Sequence, residues 1–142
     1  MMRGTLPRMS PRLTPELINL LETVLDTLEK VDISWHVATA GKPLSLVEVE
    51  QRTYLDELTL RSAINELVTD RVLVVTSDTV HLGARAKFPD FETLMKHYTE
   101  DRVLVINAAT RIAMERIRNM AASTFADAFL IRPKRKKGDD DA

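Results

Sequence analysis

The sequence predicts a mainly α fold carrying one small β-hairpin, with the helices after the hairpin given over to association. Three observations predict it. Apolar residues recur at three- and four-residue spacings through most of the chain, which is the period of a helix face. A single stretch, residues 72–82, is β-branched and apolar on both sides of a turn signal, Ser77-Asp78. Only 4 of the 142 residues are glycine, too few for a glycine-rich β fold or a Gly-rich phosphate cradle.

Taken in order, Thr14-Pro15-Glu16 is a helix start, with a capping oxygen, a proline for the first turn and an acid near the positive end. Leu17, Leu21, Val24, Leu25 and Leu28 then line one face of a helix of about four turns that ends near Asp32. Residues 33–37 fit either a continuation of that helix or a short extended piece. Gly41-Lys42-Pro43 is a break. Ser45, with Glu48 three residues on, makes a capping box for a short helix through Glu50. After a connection at residues 52–55, Asp56 caps the next helix, which buries Leu60, Ala63, Ile64 and Leu67. Residues 72–75 and 79–82 form the hairpin.

Pro89-Asp90 starts another helix, with Phe91, Leu94, Met95 and Tyr98 along one side. Residues 99–101 either break it or let it run on. From Val103 a helical pattern continues to about Phe129, roughly 40 Å by the rise per residue.

Composition bounds the chemistry. Lys plus Arg is 20 and Asp plus Glu is 21, so the chain as a whole is no polybasic coat. The charge is segregated, however. Residues 1–12 hold Arg3, Arg8 and Arg12 and no acid, and residues 132–142 hold five bases against three aspartates. Both ends read as flexible tails on an acidic body, and basic tails aid nucleic-acid binding by releasing counterions. The domain reading is an arm at 1–13, a core domain at 14–87, an association region at 88–131 and a charged tail at 132–142. The absence of cysteine excludes disulfides, thiol catalysis and cysteine-ligated metal. No apolar run approaches the roughly 20 residues of a membrane span, and there is no signal-peptide core, so the sequence reads as soluble and cytoplasmic.

The order of a short capped helix, a tight turn, a second helix and a hairpin, carried by residues 43–82, resembles the winged helix-turn-helix fold. Residues 44–49 resemble the start of the motif's first helix, and residues 55–67 its recognition helix. Arg71 stands where such proteins often have glycine before the first wing strand. The architecture is similar to that of MarR- and PadR-type bacterial transcriptional regulators, which add helices for dimerisation.

The resemblance implies that the outward residues of the second helix, Thr59, Arg61, Ser62 and Asn65, contact the major groove of double-stranded DNA. Arg85 and Lys87, just after the wing, are the nearest further bases. Against this, residues 56–71 carry Asp56, Glu57, Glu66 and Asp70 but only Arg61 and Arg71, a balance that repels phosphate. Winged helices also serve as protein-docking modules, so an adaptor that binds a protein partner and no DNA is the second reading.

The final helix places Ile106, Ala109, Ala113, Ile117 and Met120 on one face, which reads either as a homodimer seam, with this helix and the first packing on their mates to present two recognition helices, or as the completion of the monomer core, the dimer being the favoured reading. The histidines, His36, His81 and His97, lie on different elements with no ligand spacing, and no P-loop, dinucleotide or nucleophile-elbow motif occurs. No enzyme, cofactor or metal is therefore expected. Trp35 and His36 suggest a third reading, a small-molecule sensor with a pocket near Trp35.

Overall fold

The computed structural model describes the backbone of residues 12–140 and the side chains of residues 12–126. Arg3 and Arg8 of the expected basic arm, and the side chains of the charged tail, lie outside the described residues.

The first helix, α1, covers Pro15–Thr23, and the Thr14 hydroxyl accepts from the Leu17 N–H. It does not run on to Asp32. The N–H groups of Val24 and Leu25 both bond to the Leu20 carbonyl, and Thr27 turns extended. The Thr27 hydroxyl then accepts from the Lys30 N–H and starts α2, Leu28–Ala40. The apolar spacing hides this break because Leu25, outside either helix, is as buried as the helical leucines. Residues 33–37 are helical, within α2. Gly41 ends it in the left-handed region, φ 73°, where glycine carries no Cβ penalty.

Next come β1 (Leu44–Ser45), α3 (Leu46–Thr53) and α4 (Glu57–Thr69). The hairpin follows as β2 (Leu73–Thr76) and β3 (Thr79–Leu82). The sheet is antiparallel and three-stranded, in the order β1-β3-β2, with Leu44 opposite Val80 and Ser45 opposite Thr79. The hairpin is therefore part of a larger sheet than its sequence indicates, because a two-residue strand leaves no alternation to read. This order of elements is a winged helix. A short 3-10 helix, Ala84–Lys87, leads to α5, Pro89–Glu100. Asp101 ends α5, and α6 covers Arg102–Asp140, a longer span than the sequence predicts and one that takes in residues 132–140.

The chain divides into two units, Met1–Thr110 and Arg111–Ala142. In the first, α2 packs on α3, α4 and β3, and α1 packs on α5. The core is aliphatic: Leu20, Leu25, Ile33, Leu44, Val49, Leu67, Val80 and Leu94 are fully enclosed, with Phe91 the largest buried ring. Each such side chain contributes about 1.5–3 kcal/mol by burial, well above any surface ion pair here.

A polar and aromatic cluster ties α2 to α5 and the start of α6. The Tyr98 hydroxyl donates to Asp32 Oδ1 at 3.0 Å, and Trp35 Nε1 donates to Thr99 Oγ1 at 2.8 Å. The Arg102 guanidinium lies 4.5 Å from the Trp35 ring centre and 4.6 Å from that of Tyr98. Burial, with the nearby Asp32 carboxylate and the hydrogen bond to it, pushes the Tyr98 hydroxyl up to about 12. Burial, assisted by Arg52 and Arg102, lowers His36 against the opposing pull of Asp32. Trp35 is thus covered on several sides by its own chain.

Candidate nucleic-acid interface

The face in question is built by α3, a three-residue turn and α4. Ser45 and Glu48 form the reciprocal box that the spacing predicts: Ser45 N–H donates to Glu48 Oε1 at 2.9 Å, and Glu48 N–H donates to the Ser45 hydroxyl at 3.0 Å. The turn is closed by Tyr54, a non-glycine residue at φ 60°, whose N–H donates to the Glu50 carbonyl. Asp56 then caps α4, accepting from the Thr59 N–H at 2.8 Å and from the Thr59 hydroxyl at 3.1 Å. Those bonds hold its carboxyl below the usual carboxylate range.

Along α4 the inward set is Leu60, Ala63, Ile64 and Leu67, all buried as the sequence predicts. Arg61, Ser62 and Asn65 are exposed together on one side. Thr59 is half-buried, with its hydroxyl engaged by Asp56. Arg61 Nε donates to Glu57 Oε2 at 3.0 Å, one turn back. An open groove of about 370 Å³ runs beside these residues and is lined in part by Thr27, Glu29, Leu58, Thr59, Ser62 and Glu66.

The two bases beyond the wing are placed differently. Arg85 belongs to the 3-10 helix, and both of its terminal nitrogens donate to Asp90, at 2.8 and 2.7 Å. Its guanidinium also stacks 4.6 Å from the Phe88 ring centre, so its donor edge is already occupied. Lys87 is exposed at the end of the same turn. The wing tip carries Ser77, at φ 56°, and Asp78, whose carbonyl accepts from the Leu46 N–H.

Several features escape the sequence. Lys30 is buried in α2 and donates to Asp26 and to Glu66 of α4. Its position three residues after the capping Thr27, on the inward side of α2, is the only signal that marks it. Arg71, where the resemblance leads one to expect glycine, adopts the left-handed backbone itself, φ 67°. Tyr54 and Leu58 stand 91% and 81% exposed beside the start of α4, with Val47 at 59%. These exposed apolar side chains are ones that charge counting along the helix passes over.

In the Met1–Thr110 unit, Ile106 and Ala109 are half-buried. In the Arg111–Ala142 unit, Ala113 is half-buried, while Ile117 and Met120 are 65% and 63% exposed. Among the described residues no group of three or more His, Cys, Asp or Glu side chains could hold a metal ion. Nor is any helix among them long and apolar enough to cross a membrane.

No family model matches the chain, and no curated protein matches it. Among solved structures, that of Bordetella bronchiseptica BpsR, a protein whose DNA binding is regulated by 6-hydroxynicotinic acid, aligns over 84% of this chain and 84% of its own. The identity is 21% and the TM-score 0.43, a likeness that assigns no residue a role.

Proposed function

We propose that this chain is a sequence-specific DNA-binding transcriptional regulator that reads the major groove with α4. The observation that carries the reading is the division of that helix. Leu60, Ala63, Ile64 and Leu67 go into the core, while Arg61, Ser62 and Asn65 stand exposed on a winged-helix frame. These three side chains can donate to or accept from base edges and phosphate oxygens. In this reading residues 14–87 form the DNA-binding domain, residues 88–131 the association region, and the basic ends add phosphate affinity. Ile117 and Met120 on α6 meet a second copy, giving a twofold dimer. Thr59 serves the fold of the helix first, and Lys87 is a more available phosphate partner than Arg85.

The test is selection from a mixed pool of duplex DNA over a salt series, with wild type and Arg61→Ala. The reading requires wild type to enrich a sequence and Arg61→Ala to lose the enrichment. Binding with no sequence preference, or none at low salt, would remove it.

A second reading rests on the exposed apolar side chains Val47 of α3, Tyr54 of the turn and Leu58 of α4, with Asp56 and Glu57 just before the last in sequence. Exposed apolar side chains with acids close by in sequence suit a basic amphipathic protein segment better than phosphate. In that reading the chain is a winged-helix adaptor, and Leu58→Asp abolishes partner capture while Arg61→Ala leaves it intact.

A further inference from the structure

We infer that Glu57 is a positioning residue that orients Arg61 toward guanine, so that a carboxylate whose charge opposes phosphate also sets the base preference. The inference rests on the reading of α4 as a DNA-contacting helix. Its starting point is the excess of acid on that helix. Two of the other acids have structural work: Asp56 caps the helix and holds Thr59, and Glu66 pairs with the buried Lys30. Glu57 has one partner among the described residues, the Nε of Arg61 at 3.0 Å.

The pair is not forced by burial, since the two side chains are 60% and 67% exposed. Its effect is on the shape of the arginine. A free arginine samples many rotamers on its long stem. A bond from Nε to a carboxylate one turn back restrains the outer torsions and takes up only the side edge of the guanidinium. The end edge, formed by the two Nη groups, meets no acceptor among the described residues. Two parallel N–H donors on that edge match the O6 and N7 acceptors that guanine alone presents in the major groove.

Position along the helix fits this use. Glu57 is the first residue of α4 and Arg61 lies in its second turn, within the N-terminal part of a recognition helix that reaches base edges. A phosphate oxygen would also accept from Arg61, but its negative charge would be repelled by the nearby Glu57 carboxylate. A neutral base edge carries no such penalty. The pair therefore favours a base contact over a backbone contact.

The experiment uses the full chain as wild type, Glu57→Gln and Arg61→Ala, each checked for unchanged helicity by circular dichroism. Affinities are measured for the selected duplex, for duplexes with single guanines replaced by 7-deazaguanine, and for unrelated duplex. The expected result has two parts. Glu57→Gln binds unrelated DNA about threefold more tightly, having lost a like charge. It also loses roughly 5- to 10-fold of the preference for one guanine, the scale of a bidentate contact. The same 7-deaza replacement weakens wild type and has no effect on Arg61→Ala. If Glu57→Gln gains equally on every duplex and keeps its guanine preference, the pair is an incidental surface contact and the inference falls while the DNA reading stands. If wild type itself selects no sequence, the DNA reading fails and the inference fails with it.

Discussion

Lys30 of α2 donates its ammonium to the Glu66 carboxylate of α4, and this bond fastens the exposed helix to the core behind it. The lysine side chain is only 5% exposed, whereas that of Glu66 is 59% exposed. Truncation would leave a void where the stem packs, and the two carboxylates would turn to water. Lys30→Ala should cost about 2–4 kcal/mol in urea unfolding. Lys30→Met, which keeps the stem and drops the charge, should stay within about 1 kcal/mol of wild type. Burial works to lower the lysine pKa, but the bonds and charges of Asp26 and Glu66 outweigh it and the net shift is upward. A raised base adds stability below its unfolded value of 10.5, so this contribution holds through neutral pH and fades only as pH climbs through the folded value.

The Arg85–Asp90 pair has the opposite pH signature. Asp90 accepts both terminal nitrogens of Arg85 and the N–H of Phe91, at 2.7 Å, at the start of α5. The Arg85 bonds hold its carboxyl below the ordinary range, against a smaller upward push from burial. A lowered acid adds stability above its unfolded value of 3.8 and loses it as pH falls through the folded value. Asp90→Ala should therefore cost about 1.5–3 kcal/mol at pH 7. The difference from wild type should shrink progressively in melts taken below pH 4.

The exit from α4 stores backbone strain that can be relieved. Arg71 sits at φ 67°, a conformation costing roughly 1–2 kcal/mol for a residue with a Cβ. Arg71→Gly should raise the thermal midpoint, with a net gain of about 0.5–1 kcal/mol after the extra unfolded-state entropy of glycine. Gly83, opposite, has the reverse constraint. A Cβ there would stand 2.5 Å from the Arg71 carbonyl oxygen, so Gly83→Ala should destabilise by about 1–3 kcal/mol.

Local chemistry made much of this fold legible. The Ser45 box, the Asp56 cap, the buried stripe of α4 and the Phe91, Leu94, Met95 and Tyr98 face of α5 follow from spacing and cap residues alone. The break between α1 and α2 did not, because Leu25 keeps the apolar rhythm across it and only Thr27 marks it in the sequence. Strand β1 is too short for a period, and the pairing of Arg85 with Asp90, five residues apart, matches no helix spacing. On α4 the sequence identifies which residues face outward. It does not reveal that Thr59 and Arg61 are already bonded to Asp56 and Glu57.

Association through α6 is testable without DNA. Ile117 and Met120 are each more than half exposed in the described chain, a cost that a second copy would remove. Ile117→Asp together with Met120→Asp should halve the mass seen by light scattering. Arg118→Asp, at another exposed position of the same helix, should not change it. A monomeric wild type would reject the dimer outright.

Ser45 belongs to two elements at once. It is the second residue of β1, paired with Thr79, and it is the cap of α3; the next N–H, that of Leu46, donates to the carbonyl of Asp78 in the wing turn. The first turn of α3 and the tip of the wing therefore share one set of backbone bonds and cannot open separately. Amide hydrogen exchange should report them as a single cooperative unit, with Leu46 and Val80 exchanging at a common free energy. Ser45→Ala, costing about 1 kcal/mol at the cap, should speed exchange in the hairpin as much as in the helix. Mechanically, the wing is a lever on α3: a load on its tip is felt at the helix that precedes the turn into α4.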